Sequence, residues 1–512
     1  MSEEAGGQDE VMGFLADPAN WGTGGETVRR IDTHAASVFL SGDRALKIKR
    51  AVRFPFLDYA TLDKRKAACD AELAVNAPYA PEIYRGVVAI TREPGGRLAI
   101  AGRGAPVEWA VDMRRFDEAH TLDRVVEAID DALADALGRA VAAAHERAAV
   151  VEAAEWIAAL ERYIDQNIGA FRKRPDLFAP DAVTALERQA RASYARIRPL
   201  LETRGRQGRV RRCHGDLHLG NIALIEGRPV LFDAIEFNPL IATGDIFYDL
   251  AFLLMDLCER GLVRAANIVL NCYLIETRRV EDLDGLATLP FFMMLRAAIR
   301  AMVTAARGER ALAAERAAID GAAKPYFAFA GRALAPVEPQ VLATGGLSGS
   351  GKSQLARSLA PHIPPLPGAV ILRSDVERKA LYGCRETDAL PADAYRPEVS
   401  GQVYALLNDK ARRIAGAGHS AIIDAVFARP EERAAAEAAA KAAGVSFHGL
   451  FLAADLATRL ARVGGRTGDA SDADRAVAQA QEDYDMGAME WTVIDASGGV
   501  AETLAQALAA LG

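Results

Sequence analysis

Cysteine is scarce in this 512-residue chain. The five present, Cys69, Cys213, Cys258, Cys272 and Cys384, are scattered, odd in number and without Cys-x-x-Cys spacing. That excludes a disulfide-stapled secreted scaffold and a cysteine zinc site, and it predicts reduced thiols in the cytoplasm. The start, "MSEEAGGQDEVMGF", is acidic and lacks the basic region and apolar run of a signal peptide. Long apolar runs are missing too: "LAFLLMDLC" falls short of the roughly 18–20 residues that span a membrane and reads as a buried helix. An excess of positive charge is also lacking. The net charge of −8, with no aromatic-basic stripe, argues against nucleic acid as the general partner. What is there is an ordinary globular composition, 51% hydrophobic and 25% charged, long enough for two or three domains with cores of their own.

The pattern changes along the chain. An N-terminal extension, 1–25, precedes a β-rich stretch in which "ASVFLSGDRALKIKR" reads as two strands around the turn Ser41-Gly42-Asp43. One helix interrupts it, "TLDKRKAACDAELAVNA", with Thr61 as N-cap. From about residue 120 the periodicity is helical, with a return to short strands over 209–237. "ALAPVEPQ", Ala333–Gln340, reads as a linker. After it "QVLATGG", "AVILRSD", "SAIIDAVF", "SFHGLFLAAD" and "EWTVIDAS" alternate with helices, which predicts a parallel α/β sheet. The expected domains are 26–335 (β-rich lobe to about 118, helical lobe from about 119) and 336–512.

"HGDLHLGN" has the spacing of a kinase catalytic loop, in which an Asp accepts a hydroxyl proton and an Asn five residues on holds a metal. Here those are Asp216 and Asn221. "RPVLFDAIEF" then places Asp233 at the end of an apolar strand, a hard oxygen ligand for magnesium. Upstream, Lys47 is the candidate nucleotide lysine, with Glu72 on the next helix as its partner. Lys49 lies on the same strand face, and the choice between the two lysines stays open. Five arginines in "RGRQGRVRR" (Arg204, Arg206, Arg209, Arg211, Arg212) read as a solvated loop in preference to an anion-recruiting patch. His218 reads as structural.

"HGDLHLGN", "FDAIEF" and "GDIFYDLAFL" resemble the aminoglycoside phosphotransferase and choline kinase family over roughly residues 25–330. The resemblance implies a protein-kinase-like α+β fold with a β-rich N-lobe and helical C-lobe, ATP, Mg2+ and a small hydroxyl acceptor. It also implies that Asp245 braces the catalytic loop. One departure is the missing GxGxxG; "DTHAASVFL" stands in its place, with Ala35, Ala36 and Ser37 small enough to admit phosphate.

"GLSGSGKS" is a complete Walker A sequence between an apolar strand and a helix. Gly346, Ser348, Gly349, Ser350 and Gly351 turn backbone N–H groups toward phosphate, Lys352 reaches the outer phosphates and Ser353 ligates magnesium. Downstream, "VILRSDVERKALYG" resembles small P-loop kinases of the gluconate kinase, zeta-toxin and polynucleotide kinase type. That resemblance implies Asp375 as base or orienter of the acceptor, Arg378 touching substrate, Asp424 at a strand end in water-mediated metal contact or substrate binding, and lid arginines Arg462 and Arg466, with Arg459 behind them, offsetting transferred charge. In sum, the chain resembles bacterial fusions of a phosphotransferase-like domain with an α/β P-loop NTPase domain. The expected function is a bifunctional ATP- and Mg2+-dependent kinase acting on hydroxyls of small metabolites, a sugar or its derivative. The alternatives are a C-terminal polynucleotide or nucleotide-sugar kinase, and an N-terminal domain that only binds.

Overall fold

The computed structural model describes residues 2–22, 27–54, 57–464 and 470–512. The chain divides into two compact units, Met1–Leu160 with Leu201–Asp256, and Glu161–Leu200 with Leu257–Gly512.

In the first unit an antiparallel sheet runs in the order Arg29–Asp32, Ala36–Ser41, Arg44–Lys49, Ala105–Arg114, Tyr84–Arg92, Leu98–Ile100. The expected hairpin forms around Gly42, whose φ of +55° a side chain would resist. Side chains alternate along a strand, so Leu46 and Ile48 enter the core while Lys47 and Lys49 share the opposite face. Burying each such aliphatic side chain contributes about 1.5–3 kcal/mol, which fixes the face the lysines take. The N-terminal helix Ser2–Ala16 covers the apolar face, where Val11, Met12 and Leu15 meet Phe39, Leu46 and Ile48. On helix Leu62–Asn76, capped by Thr61 through the Lys64 amide, the buried residues Arg65, Cys69, Glu72 and Asn76 recur at helical spacing. The face that packs thus carries Glu72 and Asn76 inward.

In the second unit all five expected strands form a parallel sheet in the order Val370–Arg373, Ala421–Asp424, Gln340–Gly345, Ser446–Ala453, Thr492–Asp495. Helices on both faces explain why central strands such as Ala421–Asp424 are buried at every position. The same unit contains the helices Val263–Thr277, Leu289–Arg310 and Ala313–Ala333. One expectation needs correcting. Val280–Glu309 holds an 18-residue window apolar enough, by composition, to cross a membrane, although 67% of that window is buried inside the fold. Its apolarity is that of a core helix.

Candidate active sites

The first site is built on a ladder of alternating charge. Lys47 Nζ lies 2.7 Å from Asp233 Oδ1 and 2.8 Å from Glu72 Oε1. Lys49 Nζ takes the other Glu72 oxygen at 2.5 Å and also pairs with Glu236. Sequence left the choice of lysine open; in the fold both hold Glu72, and Lys47 is the one that also meets Asp233. Burial works against charge on Glu72, yet Lys47 and Lys49 hold its carboxyl down to about 2. Burial likewise opposes charge on Lys47, but Asp233 and Glu72 more than offset it and raise its pKa.

Asp216 and Asn221 stand together. Asn221 Nδ2 donates to Asp216 Oδ2 and to its carbonyl, both at 2.9 Å. With its Nδ2 so used and its main-chain carbonyl accepting from Phe232 N at 3.0 Å, the Asn221 side chain has Oδ1 to offer a hard cation, and Asp233 supplies a carboxylate; oxygen donors of this kind fit magnesium. Asp233 takes φ +59° and its amide donates to the Tyr84 hydroxyl at 3.2 Å. Asn76 clamps the next residue, donating to the Ala234 carbonyl (3.1 Å) and accepting from its amide (2.7 Å). The loop at 214–221 is braced by two carboxylates that sequence reasoning missed. Asp249 accepts from the amides of His214 (3.2 Å) and Gly215 (2.8 Å), and Asp256 accepts from Leu219 N at 3.0 Å. Asp245, expected in that role, instead forms a buried two-pronged pair with Arg204 at 2.6 and 2.8 Å. Asp245 and Asp249 share the "GDIFYDL" segment, so the signal was present but fell on the wrong carboxylate.

The arginine run is not a solvated loop. Arg204 is fully buried, Arg211 donates to the carbonyls of His145 (2.6 Å) and Glu146 (2.9 Å), and Arg212 donates to Ile235 O (3.0 Å). His218 is structural in one respect, since its Nδ1 accepts from Gly220 N at 3.1 Å; its Nε2 lies 3.4 Å from Asp216 Oδ2. The turn at 33–35, the segment expected to take the place of a glycine-rich loop, is tight, and the Ala36 amide is already engaged by Thr33 Oγ1 at 3.0 Å.

The second site is a backbone loop. Gly346, Gly349 and Gly351 take φ of +144°, +85° and +97°. A Cβ on Gly349 would stand 2.5 Å from the Arg459 carbonyl, so both conformation and space demand glycine there. Lys352 and Ser353 open helix Lys352–Leu359. The Ser348 amide is held by Gln481 Oε1 at 2.6 Å, and the buried Ser350 hydroxyl has no hydrogen-bond partner among the described residues. Arg462 donates to Ser350 O (3.2 Å) and Gly498 O (3.0 Å) and borders a cavity of about 320 Å³ together with Gly349, Gly351 and Ser353. Arg459 is buried, donating to Ser348 O at 3.3 Å and pairing with Glu482. Arg466 lies outside the described residues.

Asp375 stands in the first turn of helix Ser374–Leu381. Burial raises its pKa, against the pull of Lys352. Asp424 is buried with Oδ1 unpartnered among the described residues, while Oδ2 lies 3.4 Å from Arg373 Nε. An unsatisfied buried carboxylate oxygen suits a hydrated cation or an acceptor hydroxyl. Arg373 is a further residue sequence reasoning passed over. It reaches Asp424, Glu386 (3.5 Å) and Ser353 Oγ (3.5 Å), and its place at a strand end beside Ser374-Asp375 was the available signal. Arg378 is buried and spent on Ala394 O (2.6 Å), with Tyr395 stacked 5.0 Å away. Asp472 ties Lys379 (3.0 Å) and the Tyr395 hydroxyl (2.6 Å) together over this region.

Two family profiles match the chain, "Phosphotransferase enzyme family" over residues 36–283 and "AAA domain" over 341–484. Uncharacterised proteins of Mycobacterium tuberculosis and Mycobacterium bovis are 30% identical over 471 residues, covering 89% of this chain and 90% of theirs. The chain belongs to the same family as these proteins. It is a phosphotransferase enzyme joining a domain of aminoglycoside-phosphotransferase type to a P-loop kinase domain. Solved structures similar to parts of it include a choline/ethanolamine kinase family protein from Mesorhizobium loti (14% identity, 64% of this chain, 99% of that one, TM-score 0.33). A gluconokinase from Sinorhizobium meliloti is another (20% identity, 34% of this chain, 93% of that one, TM-score 0.25).

Proposed function

We propose that both sites are catalytic and that each transfers the γ-phosphoryl group of ATP, with Mg2+, to a hydroxyl of a small metabolite such as a sugar or its derivative. The observation that supports this reading is two sets of groups of the kind phosphate transfer needs, Lys47–Glu72–Asp233 with Asp216 and Asn221, and the left-handed glycine loop with Lys352. In the first, Asp216 takes the acceptor proton as the acceptor oxygen bonds to phosphorus and the bond to ADP breaks. Lys47 offsets phosphate charge, and Glu72 keeps it aimed. In the second, burial raises the pKa of Asp375, as a base would require, while Lys352 at the end of the glycine loop and Arg462 on the Ser350 carbonyl would offset phosphate charge. Asn221 and Asp233, and Ser353 with Asp424, would hold the metal, which supplies charge neutralisation when bound.

A second reading has one observation in its favour. The engaged Ala36 amide leaves less backbone for phosphate, as a first domain that only binds or regulates would require. The two readings separate in ATP consumption against a panel of hydroxyl metabolites. Asp216→Ala and Lys352→Ala should each abolish turnover of a different acceptor or step, by about 10²- to 10⁴-fold. If Asp216→Ala changes nothing while Lys352→Ala silences the protein, the first site does not turn over.

A further inference from the structure

The charge ladder is longer than phosphate handling needs. Lys47, Glu72 and Asp233 suffice to aim one ammonium at a nucleotide. Yet a second lysine and a third carboxylate continue the series, giving Asp233, Lys47, Glu72, Lys49 and Glu236 in strict alternation. Glu72 is fully buried and Lys49 and Glu236 nearly so, with 3% and 8% of their side chains exposed. Burying two more charges is costly unless each is paired. Glu236 also accepts from the Tyr59 hydroxyl at 3.4 Å.

The two outer members sit where they can act on the inner ones. Lys49 is two residues beyond Lys47 on the same strand, and Glu236 is three residues beyond Asp233 on the segment that Asn76 clamps at Ala234. We propose that Lys49 and Glu236 form a positioning pair, which occupies the second oxygen of Glu72 and ties the Asp233 segment to the sheet, so that Lys47 is free to exchange Asp233 for a nucleotide phosphate. Five groups in alternation carry one net negative charge, so Asp233 is the carboxylate that would be left to a divalent ion, while Glu72 and Glu236 keep Lys47 and Lys49 as partners. Without Lys49, Glu72 and Glu236 both compete with phosphate for the one remaining ammonium. This inference rests on the reading of the first site as an ATP site.

The test is calorimetric binding of MgATP to the full chain carrying Lys352→Ala, which removes the second site from the measurement. In that background Lys49→Met and Glu236→Gln should each weaken MgATP binding by about 10- to 100-fold, the usual reach of residues that orient a ligand's direct contacts. Lys49→Arg, which keeps the charge, should restore most of the affinity. Thermal unfolding of the same variants separates positioning from support. Variants that melt earlier but bind MgATP like their parent overturn the proposal. So does undiminished binding by both Lys49→Met and Glu236→Gln with no change in melting. A Lys352→Ala parent that binds no MgATP at all removes the first-site reading itself, and the pair's role with it.

Discussion

The first site is assembled from side chains brought in from positions as distant as Lys47 and Glu236, whereas the second is centred on an unbroken run, Gly346–Ser353, that presents its backbone and to which Asp375, Asp424 and Arg462 are added. The contrast extends to what holds each in place. Around the first, buried ions are paired with ions: Glu72 with two lysines, Arg65 with Glu108, Arg204 with Asp245. Around the second, Arg459 pairs with Glu482 and Arg373 with Asp424, but much of the remaining support is neutral or runs to main-chain carbonyls: Gln481 on the Ser348 amide, His419 on Gly368 O, Arg433 on Phe427 O and Met486 O. Side-chain sites need their partners' charges kept intact; a backbone loop needs its φ angles and its neighbours' shapes.

The sharpest way to break that contrast is to remove one ion from the first unit. Arg204→Met leaves Asp245 buried beside the Phe247 amide with its principal partner gone, which should cost about 3–5 kcal/mol. The double variant Arg204→Met, Asp245→Leu should recover most of that loss, because a buried pair exchanged for apolar groups is close to neutral. Urea unfolding curves read both; equal losses in single and double variants would show that the pair does not stabilise through charge.

Acid should then separate the units. Glu72 is held to about 2, below an ordinary glutamate, so its contribution is complete above about pH 4.3 and fades as pH falls toward 2. His419 behaves differently. Burial lowers it to about 4; one ring nitrogen meets Gly368 O at 2.9 Å, and Nδ1 has no partner among the described residues. Its neutral form is what the fold accepts, so stability is complete above about pH 6.5 and declines to a loss of about 3 kcal/mol near pH 4. His214 in the first unit is lowered too, by burial, but Asp249 and Asp216 oppose that shift. Between pH 6.5 and 4 the second unit should therefore open first by hydrogen exchange. His419→Gln should flatten that slope; an unchanged slope would remove His419 as its cause.

Much of this was legible in the sequence, and unevenly so. A backbone loop is contiguous, so "GLSGSGKS" and its flanking strand and helix could be read directly, as could the five parallel strands and the Thr61 cap. Side-chain networks are not contiguous. Period-two alternation put Lys47 and Lys49 on one face but gave no means of dividing them, because Glu72 takes both. "RGRQGRVRR" looked solvated because arginine usually is, and the carbonyls and the carboxylate that absorb Arg204, Arg211 and Arg212 lie on distant segments. Asp245 and Asp249 sit four residues apart in one motif, and only the fold tells which of them faces the catalytic loop.

The smallest expected effect probes the neutral style of support most directly. Strand Val370–Arg373 pairs on one side with Ala421–Asp424, and its other edge is open to solvent or to a stray strand unless something covers it. Asn271, on helix Val263–Thr277, covers it as a strand residue would: Oδ1 accepts from Ile371 N at 2.7 Å and Nδ2 donates to Ala369 O at 3.2 Å. Residues two apart present their backbone groups to the same edge, so a single carboxamide can satisfy both. Asn267 adds a second donor to Ala369 O at 3.0 Å. Asn271→Leu keeps the volume but leaves the Ile371 amide without its acceptor, at a cost of about 1–3 kcal/mol. Asn267→Leu removes a donor from a carbonyl that Asn271 still reaches, so it should cost no more than about 1.5 kcal/mol. Amide exchange at Ile371 is the deciding measurement. It should quicken in Asn271→Leu and stay near its original rate in Asn267→Leu. Equal rates in all three proteins would mean that the edge is protected by packing alone, and that the carboxamide does not hold the strand leading to Arg373 and Asp375.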